Sequence, residues 1–404
     1  FEAALALDPD YAEAYTGLAD SVLLLLSNHQ AISANDAFDV AEESLDKALS
    51  LNPNLADAQA SLGLLNFKMW EEARIGSGLE EAAANLISSL ELNPNNASAY
   101  MWFALVRGAQ QRTEEAIELY HKSLRVDPLG KIPYANLPGL YAIRGQNEEA
   151  LDLYVKAVEI HPDWPTAYQN LGLHLNGLGR IDEAVAWGIK GRELSTDPTR
   201  GAPIVMAYVE FGDYDKIAAL ASGVEPGHPM YEIGHSTLVA LRGDPAGAAK
   251  IIESALQGVD NARQIHLNLM TTFSLFAGDF EKARKYAELV NPEFAADADP
   301  VVSALNVANL IRYTFILQNL GEIQNADELL VAALDVVRTL PRTGLSGHGI
   351  RDVQILALQG NTLEALAALR NAIDEGFRGT VASNGWPIAV DPYLGSLRGQ
   401  PGFE

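Results

Sequence analysis

The residues Glu-Glu-Ala-Ile-Glu-Leu-Tyr at 114–120 return as Glu-Glu-Ala-Leu-Asp-Leu-Tyr at 148–154, an interval of 34 residues. A fixed period of that length constrains the fold more than any other feature of the chain. One such unit cannot bury its own apolar face, so units must stack in series to make a core. Prolines mark the period: Pro9, Pro53, Pro94, Pro128, Pro162 and Pro198 are spaced by 44, 41, 34, 34 and 36, and each follows Asp, Asn or, once, His161. Proline donates no backbone hydrogen bond and drives its predecessor out of the α region, so a helix ends at each one.

Apolar residues ahead of the prolines fall three and four apart, as in Ala116, Tyr120 and Leu124 or Ala150, Tyr154 and Ala157. That spacing places them on one helix face. A second stripe lies earlier in each unit, for example Tyr168, Leu171, Gly172 and Leu175. The polar turns RTEEA, GQNEEA and GRIDEA separate the stripes, and Thr113 and Asn147 are the expected helix N-caps there. The unit is a helix, a tight turn and a helix. Small residues at Ala104, Ala116, Ala150 and Ala184 allow the two helices to approach to about 8–10 Å. Beyond Pro198 the terminal proline fades, but Gly212, Gly243, Gly278, Gly321 and Gly360 continue the turn series begun by Gly145 and Gly179. About ten hairpins result, after a leading half unit in which Phe1 and Ala4 lie late in a second helix. Pro138 falls inside a first helix, which is expected to kink or to start there.

The unit resembles the tetratricopeptide repeat. Its best match is Tyr134, Leu137, Tyr141, Gly145, Ala150, Tyr154, Ala157 and Pro162. The resemblance implies an all-α fold, an α-α superhelix. We divide it into a regular array over 1–198, degenerate hairpins over 199–376 and a capping segment over 377–404. In this family first-helix residues line a concave groove that grips a protein or peptide. Here those columns read Met101, Leu105, Ala109, then Ala135, Gly139, Ile143, then Gln169, Leu173, Gly177. The Lys, Asn and Arg that clamp a C-terminal carboxylate in one subclass are missing. The groove is expected to be apolar, with Met101, Leu105, Gln169, Leu173 and Asn176 as candidate lining. A partner fills it, or the chain's own turns do.

Composition removes several function classes. The net charge of −25, from 53 acidic and 28 basic side chains, repels a phosphate backbone, so no nucleic acid is expected on this chain. There is no cysteine, which excludes disulfides and thiolate chemistry. No apolar run approaches membrane-spanning length. Phe1 is no initiator Met, which suggests a longer protein upstream.

No catalytic constellation stands out, and neither catalytic residues, cofactor nor metal are expected. The eight histidines, at 29, 121, 161, 174, 228, 235, 266 and 348, show no zinc-ligand spacing. GLSGHG at 344–349 has His348 where a nucleophile elbow needs glycine. Arg242-Gly243-Asp244 spells an adhesion tripeptide but occupies the hairpin-turn position. Asp297 and Asp299 lack the glycine of a calcium loop.

The opening FEAALALDPDYAEAYTGLADSVLLLL and the closing AIDEGF…DPYLGSLRGQPGF are similar to the C-terminal region of bacterial signalling proteins. In those, a winged-helix head of the CadC type or a nucleotide cyclase domain precedes a membrane span and tetratricopeptide repeats. Leu397, Arg398, Pro401 and Phe403 carry the terminal pattern, expected to fold on the last hairpin as a cap. The resemblance implies a non-enzymatic sensory module, with a membrane-tethered transcriptional regulator or a cyclase arm as alternatives and a free-standing scaffold as a third. Its partners would be a protein or peptide and a second copy in a homodimer. The membrane would be reached only through an upstream span, with the chain in the periplasm or else the cytoplasm.

Overall fold

The computed structural model describes the chain except for residues 27–32, 74–77, 196–201, 222–228, 257–263, 296–301, 304–305, 343–347, 376, 378–387, 389–390 and 404. Pro198, His29, His228, Asp297, Asp299 and most of the GLSGHG stretch therefore lie outside the described residues. The chain forms two compact units, Phe1–Leu140 and Tyr141–Glu404. Among the described residues every regular element is helical.

The first unit begins with the short helix α1 (Glu2–Leu7), which buries none of its residues, and Phe1 packs its ring over Gly17. Hairpins follow: α2 (Ala12–Leu25) with α3 (Ala34–Leu51), α4 (Ala56–Ala73) with α5 (Gly78–Leu92), and α6 (Ala97–Ala109) with α7 (Thr113–Val126). Each second helix also packs on the next first helix, α3 on α4 and α5 on α6, and the first helices α2, α4 and α6 touch in sequence. The division between the units falls within α8 (Lys131–Ile143). That helix neither stops nor starts at Pro138. The expected start there is wrong: the helix begins seven residues earlier. The ring deprives only the Tyr134 carbonyl of its donor, and Tyr134 and Leu137 stay buried beside it.

The second unit continues with α9 (Asn147–Ile160), then α10 (Pro165–Gly177) with α11 (Ile181–Glu193), α12 (Ala202–Phe211) with α13 (Tyr214–Ala221), and α14 (Pro229–Leu241) with α15 (Pro245–Leu256). Next come α16 (Gln264–Phe276) with α17 (Phe280–Val290), α18 (Val307–Leu320) with α19 (Ile323–Val337), and α20 (Arg351–Leu358) with α21 (Thr362–Asp374). A 3-10 helix at Pro392–Leu397 lies on α20 and α21 and buries Tyr393, Leu394 and Leu397. Buried Asp391 anchors it, accepting from Gln354 Nε2 at 2.7 Å and from the Tyr393 amide at 2.9 Å.

The local chemistry of the repeat explains its residues. Asp8, Asn52, Asn93 and Asp127 each end a helix, and each side-chain oxygen accepts the amide two residues on, at 3.0–3.2 Å. That Asx turn is why the position before the proline favours Asp or Asn. Tyr15, Tyr134 and Tyr168 donate their hydroxyls to the carbonyls of Pro9, Pro128 and Pro162, locking the next helix to the turn. Ala104, Ala116, Ala150 and Ala184 are buried at the expected close approaches. The seven turn glycines from Gly145 to Gly360 all adopt positive φ, between 65° and 97°. One turn does this without glycine: Gln111 has φ 60°.

Two capping expectations fail. Thr113 and Asn147 are the first residues inside α7 and α9, and Arg112 and Gln146 hold the cap positions. Arg112 reaches forward to Glu115 at 2.6 Å and Gln146 to Glu149 at 3.2 Å, so the glutamate three residues on carries the pairing. In the looser repeats an aspartate caps instead. Asp213, Asp244 and Asp279 accept the amides of Lys216, Gly247 and Lys282. Asp244 in that role accounts for the Arg-Gly-Asp tripeptide.

Candidate partner-binding site

The first helices of the first unit put four residues of α2 on one face, Glu13, Thr16, Gly17 and Asp20, by their spacing of three, one and three. Asp57, Ala60 and Ser61 of α4 repeat that spacing. From the start of α6 come Asn96, Ser98 and Trp102. Together these residues line a cleft of about 300 Å³. Three carboxylates face it, and no lysine, arginine or histidine is among its lining residues.

The cleft is ordered by hydrogen bonds. Asn96 accepts the Ala99 amide at 3.0 Å, capping α6, and donates its own amide to Asp57 Oδ1 at 2.8 Å and to Ser89 Oγ at 3.3 Å. Ser61 donates to the Asp57 carbonyl at 3.0 Å. Asp57 and Glu13 are exposed, whereas Asp20 is half-buried and Trp102 is buried. Burial pushes the Asp20 carboxyl up to about 6; the Ser61 hydroxyl opposes the shift and the negative charge of Asp57 adds to it. Asp20 Oδ1 is buried without a hydrogen-bond partner.

Met101 and Leu105, on the neighbouring positions of α6, are half-buried and do not line this cleft. In the second unit Gln169 and Leu173 are half-buried on α10. Asn176 is only 1% exposed, and its amide donates to the Pro203 carbonyl at 2.9 Å. It ties α10 to α12 and is closed to a partner. Nor is the cleft apolar. Counted from the repeat's proline, its acids stand at the fourth residue, Glu13 and Asp57, and at the eleventh, Asp20. Those positions are visible in the sequence, but only in the two repeats with long periods. From Pro94 onward the eleventh residue is Leu105, Gly139 and Leu173.

Elsewhere, buried His348 lies with Nδ1 3.8 Å from Asp352, and burial pushes it down to about 4. Asp352 is itself held by both terminal nitrogens of Arg342, at 3.0 and 2.9 Å. This is a structural ion pair at the start of α20. Among the described residues no three metal-binding side chains converge, and no helix is long and apolar enough to cross a membrane.

A family model described as tetratricopeptide repeat matches residues 76–130, and one described as TPR repeat matches residues 140–179. No curated protein matches the chain. Among solved structures, MamA is 25% identical over 40% of this chain and 90% of its own, with a TM-score of 0.33. YrrB, described as a TPR protein with an unusual peptide-binding site, is 19% identical over 50% of this chain and 95% of its own, at 0.34. A tetratricopeptide repeat protein from Parabacteroides merdae is 16% identical over 70% of this chain and 95% of its own, at 0.41. With the sequence period realised as helical hairpins, the two stretches at 76–130 and 140–179 are tetratricopeptide repeats by the family's own models.

Proposed function

We propose that this chain is a non-catalytic interaction module, and that the cleft between α2, α4 and α6 receives a segment of a protein or peptide partner. Tetratricopeptide repeats bind such partners as a class. The observation that carries the assignment is the 300 Å³ cleft built by three successive first helices, with its polar groups fixed in advance. A sensory role in the periplasm, as the arm of a membrane-tethered transcriptional regulator, rests on the resemblance of both ends of the chain to such proteins. The reading frame upstream of Phe1 tests that part: a basic winged-helix domain and an apolar span support it, and their absence removes it.

The cleft itself is tested by selecting displayed random dodecapeptides on the whole chain. Selected peptides should lose binding to Ser98→Trp, which fills the cleft from an exposed position and leaves the melting temperature unchanged. Peptides indifferent to this substitution, or no selected peptide, would overturn the assignment.

A further inference from the structure

The cleft carries more chemistry than its shape. Glu13, Asp20 and Asp57 project into it from two helices, and among the described residues none of them is ion-paired. The donors nearby are already committed. Asn96 gives its amide to Asp57 and Ser89, the Ser61 hydroxyl lies between the Asp57 carbonyl and the Asp20 carboxylate, and Thr16 gives its own to the Ala12 carbonyl at 3.4 Å. Acceptors are left over, including the unpartnered, buried Asp20 Oδ1. Trp102, 8% exposed, contributes an aromatic wall. Excess acceptors, uncompensated negative charge and an indole together suit a donor-rich cation on an apolar stem. A concave wall of low dielectric concentrates the field of the carboxylates and so favours that charge.

Resting on the reading of this cleft as the partner site, we infer that its occupant is a basic side chain of a protein partner, an arginine or lysine presented on an extended segment. A guanidinium offers five donors in a planar fork and stacks on indole, so arginine fits best. The volume of about 300 Å³ is at the lower bound for small-molecule pockets and takes one such side chain. The chain's net charge of −25 favours approach of the same kind of partner from a distance.

The test uses the dodecapeptides selected on the whole chain. They should share arginine or lysine at one position, and replacing that residue with citrulline or norleucine should weaken binding about tenfold or more. Glu13→Gln and Asp57→Asn, both at exposed positions, should each weaken it by a similar factor with the circular dichroism spectrum unchanged. Added salt should weaken it further. If citrulline is tolerated within about twofold while Ser98→Trp still abolishes binding, the cleft remains the partner site and the basic-residue assignment falls. If no selected peptide depends on Ser98, both fall. Calorimetric binding of calcium or spermidine in the cleft, with no arginine-dependent peptide, also overturns the assignment.

Discussion

The Asn96 side chain donates a 2.8 Å hydrogen bond to the Asp57 carboxylate, joining the start of α6 to the start of α4 while its own oxygen caps α6. One residue thus stacks two hairpins and orients a cleft carboxylate. Asn96→Ala should cost about 1–2 kcal/mol, from a lost cap and the buried Ser89 hydroxyl left without its donor. Asn96→Asp should keep the cap but set a second carboxylate against Asp57. Urea denaturation followed by circular dichroism reads both, and an unchanged midpoint for the alanine variant would contradict the role.

Gln111 occupies the column of Gly145 at φ 60°. A side chain in the left-handed region costs roughly 1 kcal/mol relative to glycine. Gln111→Gly should therefore raise the urea midpoint. The reverse change, Gly145→Ala, at φ 75° and with Pro341 Cβ only 3.2 Å from an added Cβ, should lower it.

Ala116 is fully buried where α6 meets α7. Ala116→Leu should overpack this contact and cost about 1–3 kcal/mol. Ala84→Leu, on the exposed side of α5, should be close to neutral. Equal effects for the two would contradict the close approach.

Asp20 links stability to pH. Its carboxyl titrates near 6 in the folded chain, against an ordinary value of 3.8. The folded state thus holds more protons between those values, and this group's contribution to stability rises as pH falls from about 6 to about 4. The negative charge of Asp57, which lines the cleft with it, favours the same direction. Asp20→Asn should accordingly stabilise the chain by about 1–3 kcal/mol at neutral pH, an advantage that shrinks below pH 4. Melting temperatures of the two proteins at pH 7.5 and 4 decide it; a constant difference would refute the burial.

Much of this architecture is legible in the sequence. The prolines, the Asx residues before them and the turn glycines are local devices that act within four residues, so their spacing places the hairpins even where the period stretches to 44 and 41. What the sequence hides depends on neighbouring hairpins. Asn176 looks like groove lining by its column, yet the arrival of Pro203 buries it. Thr113 and Asn147 look like caps by residue type, yet the left-handed turn residue ahead of them moves the cap one position earlier. The acidic cleft escapes the column reading because its carboxylates come from the two irregular repeats at the start, where Asp20 and Asp57 converge only after α2 and α4 pack.

Hydrogen exchange on the whole chain, with and without a selected arginine-containing peptide, tests the central claim most directly. Binding in the cleft predicts slowed exchange across 12–20, 56–64 and 96–105, and little change on the second helices α3, α5 and α7. Slowing confined to those second helices, or to the second unit, would contradict it.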